Sequence, residues 1–374
     1  MTGGTWGILM SALPVTNRER VMFALASRLQ HHGSVRLLIP HPRDEQRLAM
    51  GQHGLAWQDL APGWAGRIPG NAPRLACAIS RLKRLMDSEL DGLLTVSIPT
   101  ALAALRARQA AKRRVPLLIR QSNVVHLRHD ARFAGVRPRW RDPLIRHWYP
   151  QADHFIAVSG GVADNLLAMG IPAQRITVIP NAVDITTVQE KSLSGPTCSA
   201  QPYIVAVGRL VAKKDYPTLL QAMRLLPTAL VPRLVILGEG PQRKKLTALC
   251  RALELQERVM MPGFVANPYP IVAAASCLVS SSISEGMPNA LLEALALGTP
   301  VVATDCPSGP AEILDNGRYG ALVPVGQPEA LAHAIVTMVT NPPPIDVLQA
   351  RAAQFGMPAA VDAYTQVIRQ LDGA

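Results

Sequence analysis

Short apolar runs alternate along the chain with stretches whose apolar residues recur every three or four positions. The runs cover residues 6–13, 35–40, 92–97, 115–119 and 154–158, then 203–207, with five more opening at Leu234, Val259, Leu278, Val301 and Leu322. Each is too short for a buried helix and lacks polar alternation, so each reads as a parallel strand buried on both faces. Between the first two, Val21, Met22, Leu25 and Leu29 make one helical face that stops at Gly33. An Ala-rich helix opens at Thr100, and residues 358–371 repeat the amphipathic pattern. Strand and helix signals in alternation predict α/β architecture with doubly wound parallel sheets.

Two stretches break the pattern. Residues 51–70 hold Gly, Pro and two tryptophans without periodicity and read as an irregular loop or lid. Residues 185–202, ITTVQEKSLSGPTCSAQP, are small and polar and read as a linker. The expected division is therefore a first domain at 1–184, the linker, a second domain at 203–355 and a terminal helix at 356–374. A chain of 374 residues fits two domains.

Composition narrows the class. No run approaches the roughly 18 apolar residues that a membrane span needs, and the start, MTGGTWGILMSALP, lacks the charged leader of a signal peptide. Five cysteines without paired spacing predict reduced core thiols of a cytoplasmic protein and no metal site. Charge is uneven: residues 1–190 hold 24 Lys and Arg against 13 Asp and Glu, whereas 191–374 hold 14 against 13. The excess concentrates at Arg128, Arg132, Arg137, Arg139, Arg141 and Arg146, interleaved with Phe133, Trp140 and Trp148. That stretch fits a solvated basic face, or a surface for anionic lipid or a pyrophosphate-linked acceptor. No nucleic-acid-binding signature accompanies it, so no nucleic-acid partner is expected.

Candidate chemistry centres on Ser280 to Leu314. A strand ends in polar residues, Glu285-Gly286-Met287-Pro288-Asn289 follow, and an apolar helix runs from Ala290 to Leu297 before Gly298 and Pro300 stop it. Open α/β sheets bind ligands at such strand ends. Gly286 lets a ligand approach the backbone, and the amides that open the helix suit an anion. Glu285 and Glu293, eight residues apart, could each accept hydrogen bonds from a hydroxyl pair. The same spacing fits a surface helix with two solvated glutamates, except that Glu293 lies among Leu291, Leu292, Ala294 and Leu295, where a charge needs a partner. Arg209 and Lys214 stand just past strand 203–207, a fork and a point charge suited to phosphate. Gly238-Glu239-Gly240-Pro241 and Gly263-Phe264-Val265 follow two further strands. No acidic cluster stands at a strand end, so no catalytic metal is implied.

EGMPNALLEALALGTPVVATDCPSGPAEIL, GRLVAKKDYPTLLQA, LVILGEGPQRKKL and MPGFVANPYPIV together resemble the nucleotide-sugar site of retaining glycosyltransferases of family 4. The likeness is close over the carboxyl half and looser over the amino half. It implies the GT-B fold, two Rossmann-like doubly wound domains facing each other across a cleft, with the terminal helix returning to the first domain. It implies a nucleotide-sugar donor, most simply a UDP-sugar, no cofactor, no metal, and a glycan or polyprenyl-linked acceptor in bacterial cell-surface polysaccharide synthesis. The basic half would then meet the anionic inner membrane surface from the cytoplasmic side. By the resemblance Arg209 and Lys214 hold the leaving phosphates and Glu285 the sugar hydroxyls. The amides of Met287, Asn289 and Ala290 border the phosphate side, Gly208, Gly286 and Pro288 belong to the same donor site, and Gly238 lies near the nucleoside. Gly263, Phe264 and Val265 meet the base, and Glu293 meets the ribose diol.

The amino half departs from the family in two places. The loop Pro14 to Arg20 lacks the usual paired glycines, which leaves Asn17 or Arg18 to supply a side-chain contact. Ser122 stands where relatives carry a histidine; Asn123 matches, and His126 is close enough to have taken the role. Two other functions fit the same residues: a non-hydrolysing UDP-sugar epimerase of the same fold, and a non-catalytic binder of membrane or nucleotide sugar.

Overall fold

The computed structural model describes residues 4–11, 17–40, 42, 44–61, 72–125, 141–195 and 202–372. The chain forms two compact units, Met1–Asn181 with Met357–Ala374, and Ala182–Gly356.

The first unit holds seven strands: β1 (Thr5–Leu9), β2 (Ser34–Ile39), β3 (Trp57–Asp59), β4 (Gly92–Thr95), β5 (Leu117–Gln121), β6 (His154–Ala157) and β7 (Ile176–Val178). Their order is β3-β2-β1-β4-β5-β6-β7, every pair parallel. β1, β4 and β5 are almost wholly buried, as the apolar runs require. Two of the seven went unread in the sequence. β3 lies inside the stretch expected to be irregular, and the helix Asp44–Gln52 runs into its start; residues 62–70 of that stretch lie outside the described residues. β7 is three residues long and only partly buried, too little for a periodic signal.

The unit closes with the helix Met357–Asp372, whose buried face includes Met357, Val361, Tyr364 and Ile368. Asp372 accepts a hydrogen bond from Trp6 Nε1 at 2.8 Å, across 366 positions of sequence. Arg120, a buried cation on β5, donates to Asn181 Oδ1 and is also hydrogen-bonded to Tyr364. It thus joins the last residue of this segment to the returning helix.

The second unit holds β8 (Tyr203–Val207), β9 (Arg233–Leu237), β10 (Val259–Gly263), β11 (Cys277–Ser280), β12 (Val301–Thr304) and β13 (Ala321–Val323), in the parallel order β10-β9-β8-β11-β12-β13. All six strand signals of this half are strands. The core on one face is built from Ile204, Leu219, Leu234, Ile236, Cys277, Val302, Leu331 and Ile335, each fully buried or nearly so. Cys77, Cys250, Cys277 and Cys306 are free thiols, and the last three are buried.

The linker reading is corrected in part. Residues 185–192 form the helix Ile185–Ser192, capped by Asp184, whose carboxylate accepts from Thr187 N at 3.3 Å. Val188 alone is buried in it, so no apolar periodicity announced the helix. Where the chain enters this unit it pairs with where it leaves: Val183 N donates to Phe355 O at 2.9 Å, beside a bridge between Val183 and Gly356. No helix among the described residues is long and apolar enough to cross a membrane.

Candidate functional site

In the second unit β8 and β11 lie side by side, Leu278 opposite Val205, while the chain winds away from them in opposite directions. Such a reversal of strand order opens a crevice at the carboxyl ends of the two strands, where α/β sheets hold ligands. The loop after β8 carries Gly208, Arg209 and the turn Ala212–Lys214; the loop after β11 carries Glu285. Two contacts fix these loops together, and a third ties the second loop to the end of β12. Ser281 Oγ donates to Lys214 O at 2.9 Å, Ile283 N donates to Lys213 O at 2.9 Å, and Thr304 Oγ1 donates to Ser282 O.

Glu285 is the charged centre. Its side chain is 7% exposed, with Lys214 Nζ 2.7 Å from Oε1, Lys213 Nζ 3.5 Å from Oε2, and Ser282 Oγ donating to Oε1 at 2.8 Å. Burial alone would push its pKa up, but the charges of Lys214 and Lys213 and the two hydrogen bonds outweigh it and hold it at about 2. The carboxylate in turn disturbs its neighbours. Cys306 is pushed up to about 11, by burial first and then by Glu285. Tyr216 is raised for the same two reasons, and its hydroxyl donates to Gly208 O at 2.9 Å.

Backbone crowding around the crevice explains its glycines. A Cβ at Gly238, where φ is 146°, would sit 2.1 Å from Gly208 O, so the ends of β8 and β9 meet only because a side chain is missing. A Cβ at Gly309 would sit 2.5 Å from Gly286 O, the carbonyl that also accepts from Ser308 Oγ at 2.9 Å. The loop bearing Glu285 is therefore held from three sides: by β8's loop, by Thr304 and by Ser308.

Other expected site residues of this unit border the same strand ends. The helix Asn289–Ala296 opens after Pro288 with no side-chain cap, and Met287 before it is buried. Glu293 is buried within that helix, and Tyr269 Oη donates to its Oε1 at 3.4 Å, which supplies the partner its apolar surroundings demand. Arg209 is exposed, and no carboxylate among the described residues pairs with it. Gly263 ends β10; the ring of Phe264 after it is 65% exposed, and Val265 is half-buried. Glu239 is paired with Arg243 at 2.8 Å, and Arg243 Nη2 also donates to Met261 O at 2.7 Å.

The expected residues of the first unit are only partly described. Asn17 and Arg18 sit on the first turn of the helix Asn17–Leu29, not in the loop expected for them, and their side chains lie outside the described residues. His126 and most of the basic stretch, residues 126–140, also lie outside; Arg141 and Arg146 belong to the helix Arg141–Trp148. Ser122 and Asn123 follow β5, with Gln121 Nε2 donating to Asn123 O and Tyr149 Oη donating to Gln121 Oε1.

Sequence reasoning passed over Lys213, Tyr216, Ser282, Thr304 and Ser308. The signal for Ser282 was the polar run Ser280-Ser281-Ser282-Ile283-Ser284 at a strand end. Lys213 stood beside Lys214 in plain view, but nothing in the sequence told that both reach one carboxylate.

Comparison with known proteins places the chain. The Glycosyltransferase Family 4 model matches residues 19–187, and that of Glycosyl transferases group 1 matches 191–355. A lipopolysaccharide core biosynthesis glycosyltransferase of Rhizobium meliloti, LpsE, is 30% identical over 238 residues, 60% of this chain and 67% of that protein. The chain belongs to the family 4 glycosyltransferases of the GT-B fold. A Campylobacter jejuni N-acetylgalactosaminyltransferase, named for a diacetylbacillosaminyl-diphospho-undecaprenol substrate, is 34% identical to this GT-B chain over 199 residues. That match covers 53% of the chain and 54% of the relative, so the chain spans about half the length of one such protein and two-thirds of LpsE. Among solved structures, Anabaena HepE in complex with UDP-glucose aligns with a TM-score of 0.78 at 20% identity, covering 98% of this chain and all of that one. Sucrose-phosphate synthase of Thermosynechococcus elongatus aligns at 0.79 and 19% identity, covering 98% of this chain and 99% of that one. Both share the fold of this family 4 member.

Proposed function

We propose that the protein is a retaining, metal-independent glycosyltransferase that moves a sugar from a UDP-sugar to a glycan or polyprenyl-linked glycan. The observation that carries this reading is the cluster of Glu285, Lys214 and Lys213 at the reversal of strand order, beside an uncapped helix start and the exposed Arg209. Such a cluster suits a ligand with both hydroxyls and phosphates. Arg209 and Lys214 take the charge that grows on the leaving diphosphate, stabilising the transition state more than the ground state. Glu285 orients the sugar hydroxyls, Phe264 offers the base a flat face, and Glu293 accepts from the ribose.

In this scheme the bond from sugar C1 to the diphosphate oxygen breaks as the acceptor oxygen bonds to C1 on the same face. The acceptor proton passes to the departing phosphate. The relatives named for lipopolysaccharide synthesis and for a polyprenyl diphosphate substrate support a membrane-linked acceptor, with the basic first half facing anionic lipid from the cytoplasmic side.

The test is a panel of nucleotide sugars scored by thermal stabilisation and then by transfer to undecaprenyl-linked glycans. A donor at about 100 times its dissociation constant stabilises the fold by roughly 2.7 kcal/mol. Stabilisation by UDP-sugars followed by an α-linked product supports the reading. Interconversion of the donor sugar without any acceptor would assign an epimerase instead.

A further inference from the structure

Lys213 and Lys214 are consecutive on a three-residue turn with three residues per turn, so their side chains should leave it about 120° apart. Both nevertheless reach Glu285, one on each carboxylate oxygen. Convergence follows from how the turn is held. The carbonyls of both lysines, Lys213 O and Lys214 O, are bound by the loop that carries Glu285, and Asp215 reverses the chain directly after the turn in a left-handed conformation, φ 45°.

This arrangement meets a difficulty inside the proposed function. Lys214 cannot give its ammonium fully to a diphosphate while it remains 2.7 Å from Glu285. If it turns away, a buried carboxylate loses its nearest cation, and an unpaired buried charge is strongly destabilising. Lys213 is the cation that stays.

We propose that Lys213 is a positioning residue of the donor site, holding Oε2 of Glu285 in place while Lys214 turns to the donor's diphosphate. The proposal rests on the donor reading above and adds to it a hand-off of one carboxylate between two lysines. Lys213 suits the part, being more exposed than Lys214, 39% against 17%, and so the less costly of the two to keep paired in a wet crevice. Ser282 Oγ keeps Oε1 occupied by a neutral donor throughout.

The experiment is a proton count on UDP binding. Calorimetry in buffers of different ionisation enthalpy, at pH 5 to 8, gives the protons taken up per UDP bound. The titratable groups around Glu285 among the described residues are Lys213, Lys214, Tyr216 and Cys306, and the last two are pushed upward, out of this range. Any change in the titration of UDP itself is shared by Lys213→Gln and by Lys213→Gln combined with Glu285→Gln, so the difference between those two variants belongs to Glu285. Glu285 has a depressed pKa, so it is ionised above that value and takes a proton only as pH falls through it. Losing an opposite charge at this distance raises a carboxylate by about one to three units. With Lys214 turned to UDP, Lys213→Gln should therefore bring Glu285 into the low end of the window.

The expected result is extra proton uptake in Lys213→Gln that grows as pH falls and, by linkage, a binding defect about tenfold smaller at pH 5, where Glu285 protonates, than at pH 8, where it stays charged and unpaired. Lys213→Arg should restore wild-type behaviour, and Lys213→Gln combined with Glu285→Gln should abolish the extra uptake. A purely structural role for Lys213 would shift affinity equally at all pH values. If the wild type binds UDP while Lys213→Gln matches it in proton count and pH dependence, the hand-off is overturned and the donor reading stands. If the wild type binds no UDP, the donor reading falls and the hand-off with it.

Discussion

Glu285 and Lys214 are 71 positions apart in sequence and 2.7 Å apart in space. Each was legible singly, as a carboxylate and a cation past a strand end, because polar residues there have few structural reasons to exist. Their pairing was not, since it depends on which strands are neighbours, and strand order is not written in any one segment. The roles assigned to them separate in kinetics. Lys214 faces charge that grows during reaction, so Lys214→Ala should lower turnover by about 10² to 10³. Glu293 is assigned to the ribose, which does not change, so Glu293→Gln should raise the donor's KM with turnover little altered. Initial rates over a donor series, with folding checked by melting, decide both. A Lys214→Ala protein that transfers sugar at the wild-type rate would move the phosphate site elsewhere.

At the scale of elements, apolar strands were read well, the half-buried β10 and the three-residue β13 among them, but β3 and β7, in which no residue is fully buried, were not. β8 and β12 are buried over nearly all their length and gave unbroken apolar runs; β3 and β7 have three residues each and are partly exposed, so their pairing energy leaves almost no trace in composition. The helix Ile185–Ser192 was missed for a related reason, because it is specified by its cap more than by its face. Asp184→Ala should then cost about 1 kcal/mol, read as a lower urea midpoint with unchanged slope. Gly238→Ala probes the opposite kind of local constraint. The new methyl would press on Gly208 O in a backbone conformation that L residues rarely adopt, so a loss of at least about 2 kcal/mol is expected. Should Gly238→Ala melt like the wild type, the ends of β8 and β9 are less tightly apposed than described.

Across the whole molecule, the first unit is discontinuous in sequence and the second is not. The hydrogen bond from Trp6 to Asp372 joins nearly the full length of the chain, and Arg120 adds Asn181 and Tyr364 to the same closure. During synthesis the 175 residues of the second unit must emerge between Asn181 and the helix that completes the first. At roughly 5–20 residues per second that interval is about 10–35 s, long compared with the folding of most single domains. The unit that begins the chain is thus the last to finish, and Trp6 waits for its cover while the later unit is already whole. Protease challenge of stalled nascent chains should show this order directly. Chains arrested with residue 356 just outside the ribosome should resist cleavage within 182–356 and remain sensitive within 4–181, and sensitivity there should vanish only once 357–372 has emerged.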